Sequence, residues 1–147
     1  MLGVRRAYLQ QDLPRAGERR RALMIEIPHH RVLIADDEEA IRTLVSRVLR
    51  RAGFHTVLAT DGRDAIEKLD GGGFDALLLD LMMPRVDGFG VIEHIIATQP
   101  AMMERTVVMT AFPKAAAKER LSHLCCILAK PFDMDELVML VRSRASL

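Results

Sequence analysis

A chain of 147 residues, half of them hydrophobic and 28% charged, has enough apolar material for one well-buried domain and too little length for two of ordinary size. Aromatics make up only 4%, with no Trp and one Tyr, and the net charge is +1, so a base-stacking platform is excluded and direct nucleic-acid binding is disfavoured. No apolar run approaches the roughly 20 residues that span a bilayer, and the basic N-terminus lacks the apolar centre of a secretory signal, so a cytoplasmic protein without membrane insertion is expected.

Residues 1–30 read as a flexible basic extension. Arg5, Arg6, Arg15, Arg19, Arg20 and Arg21 stand against Asp12, Glu18 and Glu26, with Pro14 and Gly17 between them and no apolar periodicity. Met24, just ahead of the first strand region, offers an alternative start. Residues 31–147 then carry the folded domain. Short apolar runs at Val32–Ala35, Thr56–Ala59, Ala76–Leu79, Val107–Met109 and Cys126–Ala129 predict five strands.

Between the first two runs, Ile41, Leu44, Val45, Val48, Leu49 and Ala52 follow helical spacing, with Arg42, Arg47, Arg50 and Arg51 off the stripe; this predicts an amphipathic helix ending at Gly53. A second helix begins at Asp61, a candidate N-cap, and ends before Gly71, Gly72 and Gly73. That glycine run enters a strand, so it is a turn and not a phosphate cradle, which would lie between a strand and the following helix. Asp87 caps a third helix carrying Val91, Ile92, Ile95 and Ile96 and stopped by Pro100. A weaker, Ala-rich helix covers about Lys114 to Leu121. The last begins at Asp133 with Glu136 three residues on, and buries Met134, Leu137, Val138 and Val141. Cys125 and Cys126 are adjacent, suit neither a disulfide framework nor a zinc site, and read as small buried residues. Five strand-helix units in alternation predict an α/β fold, a parallel sheet with helices on both faces.

Ligands of open α/β sheets bind beyond the carboxyl ends of the strands, so the informative residues are those just after each run. These are Asp36 and Asp37 with Glu38 and Glu39, then Asp80, Thr110, and Lys130 with Pro131. If the first and third strands are neighbours, three carboxylates converge, and their repulsion calls for a hard divalent cation such as Mg²⁺. Asp80 then suits an oxygen nucleophile towards an activated phosphoryl group, with Mg²⁺ held by Asp37 and Asp80 and by Asp36 directly or through water. Lys130 adds positive charge. Thr110 gains a hydrogen bond only once a phosphoryl oxygen is present, which makes that contact a switch. Each residue alone has a plainer use, since an acidic pair after a strand often only caps a helix. A metal-dependent phosphohydrolase would need a second acid-base carboxylate beside Asp80, where Leu81 and Met82 stand; a nucleotide-binding site would need a Gly-rich turn where the acidic pair stands.

The same residues carry a family resemblance. VLIADDEEAIR (Val32 to Arg42), DLMMPRVDG (Asp80 to Gly88), MTA (Met109 to Ala111) and KPF (Lys130 to Phe132) resemble the motifs of the receiver domain of two-component response regulators, over roughly Arg31 to Leu147. The resemblance implies a flavodoxin-like (βα)5 fold with strand order 2-1-3-4-5. It implies that Asp80 is the phosphoacceptor, that Asp36 and Asp37 bind Mg²⁺ with Asp80 and the backbone carbonyl of Met82, that Thr110 and Lys130 contact the phosphoryl group, and that Pro84 and Gly88 shape the loop after the phosphosite. A histidine kinase or histidine phosphotransfer protein would be the donor and an unidentified protein the downstream target. The chemistry would be limited to its own phosphorylation and hydrolysis. No output domain follows the last helix, so a stand-alone receiver is expected. Ile127 stands where receivers usually place Tyr or Phe, and His123 and Leu124 replace a frequent Gly-Ala, so the switch lacks aromatic burial there and the usual output face is altered. Met82 and Phe112, both apolar, flank the path of hydrolytic water and imply a long-lived phosphoryl group. Pro113 is expected to stiffen the loop behind Thr110. The competing function is a receiver-like interaction module independent of phosphorylation.

Overall fold

The computed structural model describes residues 29–111, 114–121 and 126–147. The elements run β1 (Arg31–Ala35), α1 (Glu39–Arg51), β2 (His55–Ala59), α2 (Gly62–Asp70), β3 (Ala76–Asp80), α3 (Gly88–Thr98), a 3-10 helix (Pro100–Arg105), β4 (Thr106–Thr110), α4 (Lys114–Leu121), β5 (Cys126–Ala129) and α5 (Met134–Ala145). All strands pair in parallel in the order β2-β1-β3-β4-β5, the order expected from the receiver resemblance. Residues 1–28, including the Arg-rich segment and Met24, lie outside the described residues, as do Phe112, Pro113, His123, Leu124 and Cys125.

Strand alternation divides the core into two layers. Leu33, Leu77, Leu79, Val108 and Ile127 face α2, α3 and α4, whereas Val32, Ile34, Leu78, Val107, Met109 and Leu128 face α1 and α5. The central strand β3 is buried throughout, as a parallel sheet covered on both faces requires. The chain passes to β2 on one side of β1 and to β3 on the other, so the winding reverses at the carboxyl ends of β1 and β3.

The helix caps read from sequence are present. Asp61, Asp87 and Asp133 accept hydrogen bonds from the backbone N–H groups of Asp64, of Gly90, and of Asp135 and Glu136, respectively. The apolar stripe of α1 is narrower than its spacing suggests. Val45 and Leu49 are buried but Leu44 is 46% exposed, because the buried face turns towards β2, where Ser46 Oγ shares a 2.7 Å hydrogen bond with Thr56 Oγ1. The buried face is thus rotated from the apolar stripe, so that Ser46, a polar residue off the stripe, is buried and Leu44, on it, is not. Ile96 likewise faces solvent, and the 3-10 helix after Pro100, unforeseen from periodicity, supplies Met102 and Met103 to the core. Cys126 is half-buried rather than buried.

Two glycines at loop-helix junctions are required by close approach. A Cβ on Gly62 would overlap the carbonyl of Val86, and one on Gly88 would overlap the carbonyl of Asp80. Gly88→Ala should therefore destabilise the protein by about 2 kcal/mol, because the obstacle is backbone and cannot rotate away. A urea-unfolding midpoint equal to that of the parent would contradict this close packing.

Candidate functional site

The site lies at the β1/β3 crevice and is built from strand ends. β1 runs into Asp36, which is fully buried, and Asp37, which is exposed; β3 ends on Asp80, which is almost completely buried. One carboxylate oxygen from each of Asp36, Asp37 and Asp80 falls within 4.8 Å of the others. Three hard oxygen donors at that separation suit a divalent cation, and the donor set fits Mg²⁺ better than a soft metal.

Asp36 is held at every polar atom. Its Oδ1 accepts from the N–H of Glu38 at 2.9 Å, its Oδ2 from Lys130 Nζ at 2.9 Å, and its carbonyl from Arg42 at 2.7 Å, while its own N–H donates to Ala59 at 3.3 Å. This buried carboxylate is fixed before any ligand arrives. Lys130 also lies 3.6 Å from Asp80 Oδ2, so one ammonium bridges the β1 and β3 carboxylates. Asp80 Oδ1 accepts a 3.3 Å hydrogen bond from the N–H of Met82.

The local electrostatics follow from burial and like charge. Burial, together with the neighbouring Asp36 charge, pushes the Asp80 carboxyl up to about 6, against the opposing pull of Lys130. For Lys130, burial works against the ammonium, but the Asp36 hydrogen bond and the Asp80 charge outweigh it and place its pKa above the ordinary lysine value. The site therefore stores carboxylate repulsion that a cation or a proton relieves.

Thr110 ends β4, fully buried, and its carbonyl accepts from the N–H of Lys130 at 2.8 Å, which ties the ends of β4 and β5 together. The Lys130–Pro131 peptide is cis. Ile127 is already packed in the core layer that faces α2, α3 and α4, and it pairs with Val108, two residues before Thr110. Met82 is 61% exposed at the rim of the site. All five side-chain candidates and the turn carrying Met82 thus meet at one end of the sheet.

Two contributors escape a reading of sequence motifs. Arg42 lies off the apolar stripe of α1, yet its guanidinium reaches back past the start of the helix to the Asp36 carbonyl. Arg85, inside the turn after β3, pairs with the α2 cap Asp61. Arg42 follows Asp36 by a spacing that suits such a contact. The Arg85 partner comes from another loop and leaves no local signal.

No helix among the described residues is long and apolar enough to cross a membrane. The chain is 32% identical over 117 residues to the transcriptional regulatory protein TcrA of Mycobacterium tuberculosis, an alignment covering 77% of this chain and 45% of TcrA. It is 37% identical over 117 residues to the response regulator MprA of Mycobacterium ulcerans, covering 77% and 49%. The chain thus spans about half the length of the curated relatives it matches. Among solved structures it is similar to the receiver domain of the Francisella response regulator 1452, with TM-score 0.74, 26% identity and coverage of 80% and 97%. It is also similar to the response regulator TrrA of Thermotoga maritima in complex with Mg²⁺-BeF, with TM-score 0.70, 27% identity and coverage of 78% and 97%. The family model of the response regulator receiver domain matches residues 32–142, which spans β1 through most of α5. With the strand order, the acidic cluster at the switch point and this match in agreement, the chain belongs to the response regulator receiver domain family, whose acidic site is arranged for phospho-aspartate switch chemistry.

Proposed function

We propose that Asp80 accepts a phosphoryl group from a histidine kinase or histidine phosphotransfer protein in a Mg²⁺-dependent reaction, and that the acyl phosphate switches a surface recognised by a downstream protein in the cytoplasm. The convergence of the Asp36, Asp37 and Asp80 carboxylates, with Lys130 bridging two of them, carries this assignment. Asp36, Asp37, Asp80 and the Met82 carbonyl would hold Mg²⁺, which when bound neutralises charge on the transferring oxygens.

Asp80 contributes the nucleophile. A carboxylate oxygen forms a bond to phosphorus as the phosphorus-nitrogen bond to the donor imidazole breaks, and the imidazole departs with the electron pair of that bond. Asp36, fixed by Glu38, Arg42 and Lys130, positions the cation site without rearranging. Lys130 faces Asp80 at 3.6 Å and supplies positive charge to a phosphoryl oxygen. The Thr110 hydroxyl donates to another phosphoryl oxygen, a contact the unmodified protein cannot make, and this difference shifts the population of the β4–α4 region. Ile127 is buried at 8% exposure, so the response proceeds without an aromatic side chain moving inward from that position. Catalysis is confined to forming and losing the protein's own acyl phosphate.

Incubation with acetyl phosphate and Mg²⁺ followed by intact-mass measurement is expected to show one added phosphoryl group, absent when Mg²⁺ is chelated and absent in Asp80→Asn. The exposed apolar side chain of Met82 leaves hydrolytic water without a polar partner at that position, so the adduct should persist well beyond seconds. An Asp80→Asn protein that gains the same mass would reject Asp80 as the acceptor. A wild-type adduct that decays within seconds would reject the role given to Met82.

A further inference from the structure

The turn between β3 and α3 is fastened at two places. Near the site, the N–H of Met82 donates to Asp80 Oδ1 and that of Gly88 to the Leu81 carbonyl at 2.8 Å. At the apex, Arg85 has φ 66, in the left-handed region that residues with a Cβ seldom occupy. Its guanidinium forms an ion pair with Asp61, whose side chain is 4% exposed although that of Arg85 is 69% exposed. Beside this pair, Gly62 packs under the Val86 carbonyl with no room for a side chain.

An ordinary surface ion pair explains little of this arrangement. The carboxylate of Asp61 is buried and has two duties, because its Oδ1 caps α2 through the N–H of Asp64 at 2.8 Å while its Oδ2 receives Arg85. A strained backbone persists where its surroundings over-determine it. Here the surroundings are the neighbouring β2–α2 loop, and the segment held in place carries Met82.

We propose that Arg85 is a positioning residue for the divalent-cation site: through Asp61 it clamps the β3–α3 turn onto α2 and fixes the Met82 carbonyl relative to the three carboxylates. The inference rests on the metal reading given above. Mg²⁺-like ions demand near-ideal octahedral geometry, so a ligand carbonyl on a loosened turn weakens binding even when every ligand is present.

Geometry and electrostatics make opposite predictions here. Removing the positive charge of Arg85 should, by Coulomb's law alone, strengthen cation binding to a nearby acidic cluster, whereas loss of the clamp weakens it. Asp61→Asn keeps an oxygen to cap α2 and removes the charge that holds Arg85.

Mn²⁺ binding to the full chain, followed by the electron paramagnetic resonance signal of free Mn²⁺, tests the clamp. Arg85→Gln and Asp61→Asn should each weaken Mn²⁺ binding about threefold to tenfold, the double variant should bind no worse than the weaker single, and Arg85→Lys should recover part of the loss. Melting temperatures in chelator show whether each variant remains folded. Folded Arg85→Gln protein that binds Mn²⁺ as tightly as wild type or more tightly overturns the clamp, as do losses that multiply in the double variant. Wild-type protein that takes up no Mn²⁺ overturns the metal reading itself, and the clamp with it.

Discussion

Asp80→Asn is expected to stabilise the cation-free protein by roughly 3 kcal/mol at pH 8 and by well under 1 kcal/mol at pH 4. The Asp80 carboxyl titrates near 6 in the folded chain against 3.8 for an unperturbed aspartate, because burial and the Asp36 charge both disfavour its ionised form. Between those two values the folded state binds more protons than the unfolded state, so wild-type stability falls as pH rises from about 4 to about 6 and stays low above that window. The Asn variant has no proton to lose at this position and escapes the decline. Urea unfolding in chelator at a series of pH values measures the difference directly. A gap that is constant with pH, or that widens towards acid, would reject the stored repulsion. Millimolar Mg²⁺ should narrow the gap at pH 8, since a cation bound only by the folded wild type stabilises it by mass action.

Lys130→Ala is expected to cost about 3–5 kcal/mol at neutral pH, because it leaves the fully buried Asp36 carboxylate without its ammonium partner. The same change removes the charge 3.6 Å from Asp80 and should slow phosphorylation by acetyl phosphate by about 10²-fold to 10³-fold. Asp36→Asn in the same chain should restore part of the stability but none of the rate, since the orphaned charge disappears while the phosphoryl group still lacks its cation. Denaturant unfolding and the initial rate of mass gain separate the two effects. A stability loss below about 1 kcal/mol would show that water reaches Asp36 and that the pair is not buried in solution.

The two variants probe opposite sides of one balance. Asp80 contributes repulsion that a proton or a bound cation relieves, and Lys130 contributes attraction to both Asp36 and Asp80 in the crevice they share. Arg42 donates to the Asp36 carbonyl and the N–H of Glu38 to its carboxylate, fixed donors that hold Asp36 in place.

Elements whose signals are local were legible in sequence. The five apolar runs match β1 to β5 within a residue at each end, and Asp61, Asp87 and Asp133 cap the helices they precede, because a cap depends only on a side chain and N–H groups two or three residues away. Leu44 and Ile96 mark where local periodicity fails. Helical spacing identifies a face some 100° wide, but the sheet decides which part of that face is covered. The 3-10 helix after Pro100 has no apolar period of its own and follows from the need to bring Met102 and Met103 over the core.

By itself, the sequence determined the parallel α/β class and the receiver character of the chain, and it named Asp36, Asp37, Asp80, Thr110 and Lys130, at the ends of β1, β3, β4 and β5, as the candidate site residues. Only the tertiary structure decided that Lys130 bridges Asp36 and Asp80, that Arg42 holds the Asp36 carbonyl, and that Arg85 crosses to Asp61. The physical reason is range. Strand period, capping and turn chemistry act over a few residues and are written in the order of the chain, whereas ion pairing in a buried crevice depends on distances that exist only after the strands have assembled.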